Sequence, residues 1–93
     1  MIVGTATVEI HIPESASLKM KRSIVKRIRE RIRRKFNVSI AEIDHLDKWQ
    51  RSTLGIGIVS NQSRFADQVL AKVVREIEAE RALDVLSIHV EMR

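Results

Sequence analysis

The stretch Ile2-Val3-Gly4-Thr5-Ala6-Thr7-Val8-Glu9-Ile10-His11-Ile12 decides the fold, because it alternates without a break. Ile2, Gly4, Ala6, Val8, Ile10 and Ile12 point one way, and Val3, Thr5, Thr7, Glu9 and His11 the other. A period of two with one apolar face is that of a half-buried strand. Pro13 ends it, since proline has no amide hydrogen to give to a sheet. The same rhythm returns further along the chain. Residues 52–59 set Leu54, Ile56 and Ile58 against Thr53, Gly55, Gly57 and Val59. Residues 38–43 read as a shorter strand, and Leu86, Ile88, Val90 and Met92 alternate in a last one.

Between the strands the period changes to that of a helix. Ser15 and Ser17 offer N-caps. Leu18, Ile24, Val25, Ile28, Ile32 and Phe36 then recur as one apolar stripe, and Asn37 is a fitting stop because asparagine tolerates the left-handed cap conformation. Ser60 or Asn61 can cap a second helix, whose apolar face is Phe65, Ala66, Val69, Leu70, Val73, Val74 and Ile77. The polar segment 44–51 joins the second and third strands as a long hairpin connection. The predicted order is βαββαβ, an α+β, ferredoxin-like sandwich. Two helices would cover one face of a four-stranded antiparallel sheet and leave the other open. No linker or low-complexity run divides the chain, and 93 residues fit a single domain, 1–93.

Charge is the most informative total. The net charge is +5, but residues 19–35 alone hold ten basic residues against one acid, a segment charge of +9. The remaining chain carries seven basic and eleven acidic residues, a charge of −4. The first helix is thus a basic element on a mildly acidic body, which suggests a polyanionic partner. At 100° per residue, Lys19, Arg22, Lys26, Arg29 and Arg33 form one stripe beside the apolar face. Arg27, Arg31 and Arg34 form a second, outward group. Glu30 is the only acid expected to be available to pair with them. Like charges at i, i+4 destabilise a helix, and Lys19, Lys21 and Arg22 oppose the macrodipole in the first turn. Stability alone does not place them there, whereas phosphates along the helix would turn repulsion into attraction. The alternative is a solvated arginine-rich face.

Other chemistries find little support. With no cysteine there is no disulfide and no thiolate metal site, which is compatible with a reducing compartment. No apolar run approaches the roughly 20 residues that span a bilayer, and the N-terminus does not read as a signal peptide, so a cytoplasmic, non-membrane protein is expected. The three aromatics, Phe36, Trp49 and Phe65, lie off the strands. The stacking pair of an RNA-recognition sheet is therefore missing, and any RNA binding should read shape and backbone rather than bases. Phe36 and Phe65 read as packing residues. Asp44, His45 and Asp47 could bind a divalent metal or form an acid–base pair for a small hydrolase. They lack a defined ligand spacing, and the expectation is structural: carboxylates capping loop amides, with Trp49 covering a core edge. His11 and His89 read as surface histidines. Gly55 and Gly57, with Thr5, Thr7 and Thr53, make the open sheet face flat and small, which would suit a second subunit.

Several motifs resemble the YlxP-like family of small bacterial proteins. They are Met1-Ile2-Val3-Gly4, Ser17-Leu18-Lys19-Met20-Lys21-Arg22-Ser23, Phe36-Asn37-Val38-Ser39-Ile40-Ala41-Glu42, Asp44-His45, Trp49-Gln50-Arg51, Thr53-Leu54-Gly55-Ile56 and Val59-Ser60-Asn61. The resemblance covers nearly the whole chain. It implies a ferredoxin-like fold and a cytoplasmic bacterial setting near translation and ribosome-maturation genes, hence a link to RNA or the ribosome. It implies no catalytic residues and no cofactor. The expectation is therefore a non-enzymatic RNA-binding protein acting on RNA or a ribosomal particle. A homodimeric interaction module is the alternative, and a metal-dependent hydrolase the weakest reading.

Overall fold

A computed structural model describes all 93 residues. The first strand, β1 (Ile2–His11), is central and pairs on both sides. Its core face is Ala6, Val8 and Ile10, each no more than 1% exposed. It is followed by α1 (Leu18–Lys35), β2 (Ser39–Asp44), β3 (Arg51–Ser60), α2 (Ser63–Glu78) and β4 (Asp84–Met92). The spatial order is β2-β3-β1-β4, antiparallel throughout, with both helices on the core face. This is the ferredoxin-like arrangement that the alternation predicts.

Local chemistry sets the helix ends. Ser17 is the N-cap of α1, its Oγ accepting from Met20 N at 3.0 Å. Ser15 is buried and donates to the Ser17 carbonyl instead. The exit differs from expectation. Phe36 turns extended while its amide still donates to Ile32 O, and Asn37 takes no left-handed conformation, a region that only His45 (φ 59°) enters. In α2 the cap position falls to Gln62, which makes no side-chain cap bond. Ser60 reaches forward only far enough for its Oγ to accept from Gln62 N.

The core joins Val25, Ile28 and Ile32 of α1 to Ala66, Leu70, Val73 and Ile77 of α2, over Ile40, Leu54, Ile56 and Ile58. Gly4 belongs to this packing, because a Cβ there would meet Ile58, Leu70 and Met92 at 3.1 Å. Two expectations about the core fail. Phe65 is not part of it and is 53% exposed, since the core face of α2 is centred on Ala66, Leu70 and Ile77. The β4 alternation is interrupted: Ile10 pairs with Val85 and Glu9 with Ser87, so Leu86 is a bulged residue. Val85 takes the core position, while Ile88 and Val90, on the helix-facing side of this edge strand, stay 43% and 40% exposed.

Candidate nucleic-acid interface

Regular helical geometry gives α1 two basic sides, and tertiary packing treats them differently. Arg27, Arg31 and Lys35 face α2. Arg27 Nη2 lies 3.1 Å from Glu80 Oε2, and Arg31 Nη1 lies 2.5 Å from Glu80 Oε1. Arg31 Nη2 also donates to the Glu76 carbonyl, and Lys35 binds the Glu76 carboxylate. That Lys35 hydrogen bond, with the charges of Lys35 and Arg31, holds the Glu76 carboxyl below the usual carboxylate range. Glu30 is thus not the only acid within reach of α1, as its own segment suggested. Glu76 and Glu80, more than forty residues away in sequence, neutralise this side.

The other side has no such complement. Arg22, Lys26, Arg29 and Arg33 line up over about 16 Å of helix, at 1.5 Å per residue. Lys19, Arg22, Arg29, Arg33 and Arg34 are in no ion pair, and Lys26 has only a marginal one with Glu30 at 4.0 Å. The Arg29 side chain makes no hydrogen bond, and its Nε is buried without a partner. Arg33 donates to the Ile40 carbonyl at 3.0 Å. Because β2 is an edge strand, the stripe runs along an unpaired sheet margin. Between the stripe and this margin lies a shallow groove of about 380 Å³ walled by Arg22, Val25, Lys26, Arg29, Ala41, Glu42 and Leu46.

Lys21 departs from the surface reading. Its side chain is fully buried at the root of the 44–51 connection. Nζ donates to Glu42 Oε2 at 2.7 Å, His45 O at 2.9 Å, Leu46 O at 3.3 Å and Arg51 O at 3.4 Å. Ser52 Oγ donates to the same Glu42 oxygen at 2.7 Å. A first-turn lysine whose charge opposes the helix dipole is therefore a clamp on the connection. Its spacing carries the signal: Lys21 stands at i, i+4 and i+7 with Val25 and Ile28, on the core stripe.

In the clamped segment the acids and the imidazole that could make a metal or acid–base site do not converge. Asp44 Oδ1 accepts from the His45 amide at 2.7 Å, and the His45 ring turns to Glu9, 3.6 Å away, rather than to Asp44 or Asp47. No three His, Asp or Glu side chains converge into a cation-binding cluster. Trp49 does not cover a core edge. It is 57% exposed, and Leu46 in the same connection is 56% exposed.

On the opposite sheet face Thr5 pairs with Gly57 and Thr7 with Gly55, flooring a depression of about 530 Å³ rimmed by His89, Glu91 and Arg93. Thr53 is 4% exposed and does not line this depression. His89 and Arg93 hold the Glu91 carboxyl below its ordinary range, the His89 hydrogen bond first.

Comparison with known proteins agrees with the architecture. Residues 3–90 match the family described as "Protein of unknown function (DUF503)". The chain is 41% identical over 78 residues to the "Uncharacterized protein YlxP" of Bacillus subtilis (strain 168), covering 84% of this chain and 85% of that one. A de novo designed protein with a ferredoxin fold superposes on all of this chain and 86% of its own, at a TM-score of 0.63 and 19% identity, a likeness of fold alone. No helix is long and apolar enough to cross a membrane.

Proposed function

The chain belongs to the DUF503 family, whose function is unknown, and from that premise we propose that it is a non-enzymatic nucleic-acid-binding protein of the cytoplasm. RNA or a ribosomal particle is the expected partner. The observation that carries this reading is the unpaired stripe. Arg22, Lys26, Arg29 and Arg33 stand in register on one side of α1, with Lys19 and Arg34 adding to the field, while the acids of α2 and its exit answer only the other side. Backbone phosphates are the polyanion that such a stripe suits, arginine most of all because its planar fork takes two phosphate oxygens at once. Binding of this kind is independent of base sequence and weakens with salt through counterion release. RNA rather than DNA is the choice that the family resemblance favours.

Anisotropy titrations of labelled structured RNA and duplex DNA across a salt series test it. Reversing Arg22, Arg29 and Arg33 to glutamate should weaken binding at least about tenfold. It should also cut the salt slope by about 2–3, since each of these positions neutralises one phosphate. Arg27→Gln serves as the control, because Glu80 already neutralises that charge, and binding should stay within about twofold. Equal binding by the triple variant refutes the assignment.

A second reading rests on Gly57. A Cβ there would meet nothing within 4 Å, so the protomer itself gives no steric reason for glycine. A strand glycine over open space suits the approach of another backbone, and the face around Thr5 and Thr7 would be the contact of a homodimer. Thr7→Arg should abolish a dimer seen by sedimentation, and a monomer at high concentration refutes that reading.

A further inference from the structure

The side chain of Trp49 lies outside the hydrophobic core, and yet the backbone around it is well held. Lys21 Nζ binds the carbonyls of His45, Leu46 and Arg51. Gln50 Nε2 donates to Pro13 O at 3.1 Å and Ser15 O at 3.2 Å, and Gln50 O accepts from Ile12 N at 2.8 Å. Lys48 N closes a turn onto His45 O at 3.1 Å. Positions 45, 46, 48, 50 and 51 are thus tied, and Trp49 stands between tied neighbours, 57% exposed. An exposed indole on a fixed frame loses little freedom on binding, which is how preorganised contacts gain affinity. One exposed apolar residue is ordinary, but this one has a setting. Leu46, in the same connection, is a wall of the groove that Arg22, Lys26 and Arg29 line. The aromatic loop and the basic stripe therefore border one surface.

We propose that the 44–51 loop is a base-stacking site, in which the Trp49 indole takes an unpaired nucleobase of a strand whose phosphates lie on the α1 stripe. This rests on the nucleic-acid reading above and narrows it to single-stranded or looped substrates. The charge beside the loop selects the occupant. Two apolar side chains are far short of the surface that a stable protein–protein contact buries, whereas one base needs only one aromatic face. Every base has such a face, so the site adds affinity without reading sequence. The strands carry no stacking aromatics, and this one lies off the sheet, so stacking here is a loop contact rather than a sheet contact.

Trp49 is the only tryptophan, which makes it its own probe. The experiment titrates the full chain at low salt with a single-stranded oligouridylate and with a blunt RNA duplex of equal length. Protein fluorescence and the anisotropy of the labelled strand are followed together. The expected result is quenching of Trp49 by the single strand and little by the duplex. Trp49→Ala should lose about tenfold affinity for the single strand with an unchanged salt slope, as stacking losses of this class run. Trp49→Phe should recover most of it. Because the side chain is half-exposed, these variants leave the core intact. If Arg22, Arg29 and Arg33 reversal abolishes binding but Trp49→Ala binds as wild type, the stacking site is refuted and the phosphate reading stands. Equal losses for strand and duplex also refute it, since a duplex offers no unpaired base. No binding of either RNA refutes both.

Discussion

Replacing Lys21 with methionine isolates the contact that ties α1 to the 44–51 connection. Methionine keeps an unbranched apolar stem and removes four donor contacts at once, to Glu42, His45, Leu46 and Arg51. Removing one partner of a buried ion pair generally costs about 3–5 kcal/mol, because the other charge is left without compensation. Glu42 is 13% exposed and keeps its bond from Ser52 Oγ, which places the loss near the lower end, about 3 kcal/mol. For a domain of this size each kcal/mol corresponds to roughly 4–8 °C, so Tm should fall by at least about 12 °C. The double variant Lys21→Met, Glu42→Met removes both charges and should recover about 2 kcal/mol of the loss. The remainder of about 1 kcal/mol is Ser52, fully buried and deprived of its acceptor. Urea denaturation followed by circular dichroism measures both. A single variant within about 1 kcal/mol of wild type, or a double variant no better than the single, refutes the view that this pair holds the connection in place.

Three further substitutions probe the packing and the α1–α2 charges. Gly57→Ala places a Cβ in open space and should raise stability by about 0.5–1 kcal/mol by removing backbone freedom from the unfolded chain, whereas Gly4→Ala drives a Cβ against Ile58, Leu70 and Met92 and should lower it by about 1–3 kcal/mol. Urea midpoints of the two variants should move in opposite directions, and a shared direction contradicts this packing. Glu76, whose carboxyl is depressed by the Lys35 hydrogen bond, contributes stability that is present above the ordinary carboxylate range and lost as pH falls through its lowered value. The stability gap between wild type and Lys35→Met should therefore be present at neutral pH and vanish in acid, and a gap independent of pH shows that Glu76 is not its source.

What was legible in the sequence was local. The alternation from Ile2 to Ile12 needs only a period of two, and the stripe through Val25, Ile28 and Ile32 only a period of 3.6. What was not legible depends on partners distant in the chain. Leu86 reads as one more alternating residue until β1 fixes the pairing, with Ile10 on Val85 and Glu9 on Ser87. Arg27 and Arg31 read as free charge because Glu80 lies 53 and 49 residues away. Phe65 reads as core because an aromatic one residue before Ala66 satisfies a generous helical face, and only the docking of α2 rotates it outward. Trp49 reads as a cover because an indole usually is one. Its exposure follows from carbonyls and amides around it that Lys21 and Gln50 hold, and no spacing rule reports those bonds.

A basic helix can serve solubility, edge protection or binding, and the distribution of its partners separates these roles. Solubility alone would leave no preference between its two sides, yet Glu76 and Glu80 answer only Arg27, Arg31 and Lys35. Edge protection explains Arg33, whose guanidinium covers a carbonyl of β2 that would otherwise invite another strand. It does not explain Arg22 and Arg29, which make no hydrogen bond to the backbone of β2. The acid nearest their groove, Glu42, has its Oε2 taken by Lys21 and Ser52. The fold thus turns the carboxylate that lines the groove toward its own interior and leaves Arg22 and Arg29 without an acidic partner. That division predicts where a compensating mutation would act. An acid introduced at Leu46, which is 56% exposed and also lines the groove, should quench nucleic-acid binding as reversal of Arg29 does, without touching the α1–α2 pairs. Unchanged binding by Leu46→Glu would mean that the anion does not enter from the β2 side of the helix.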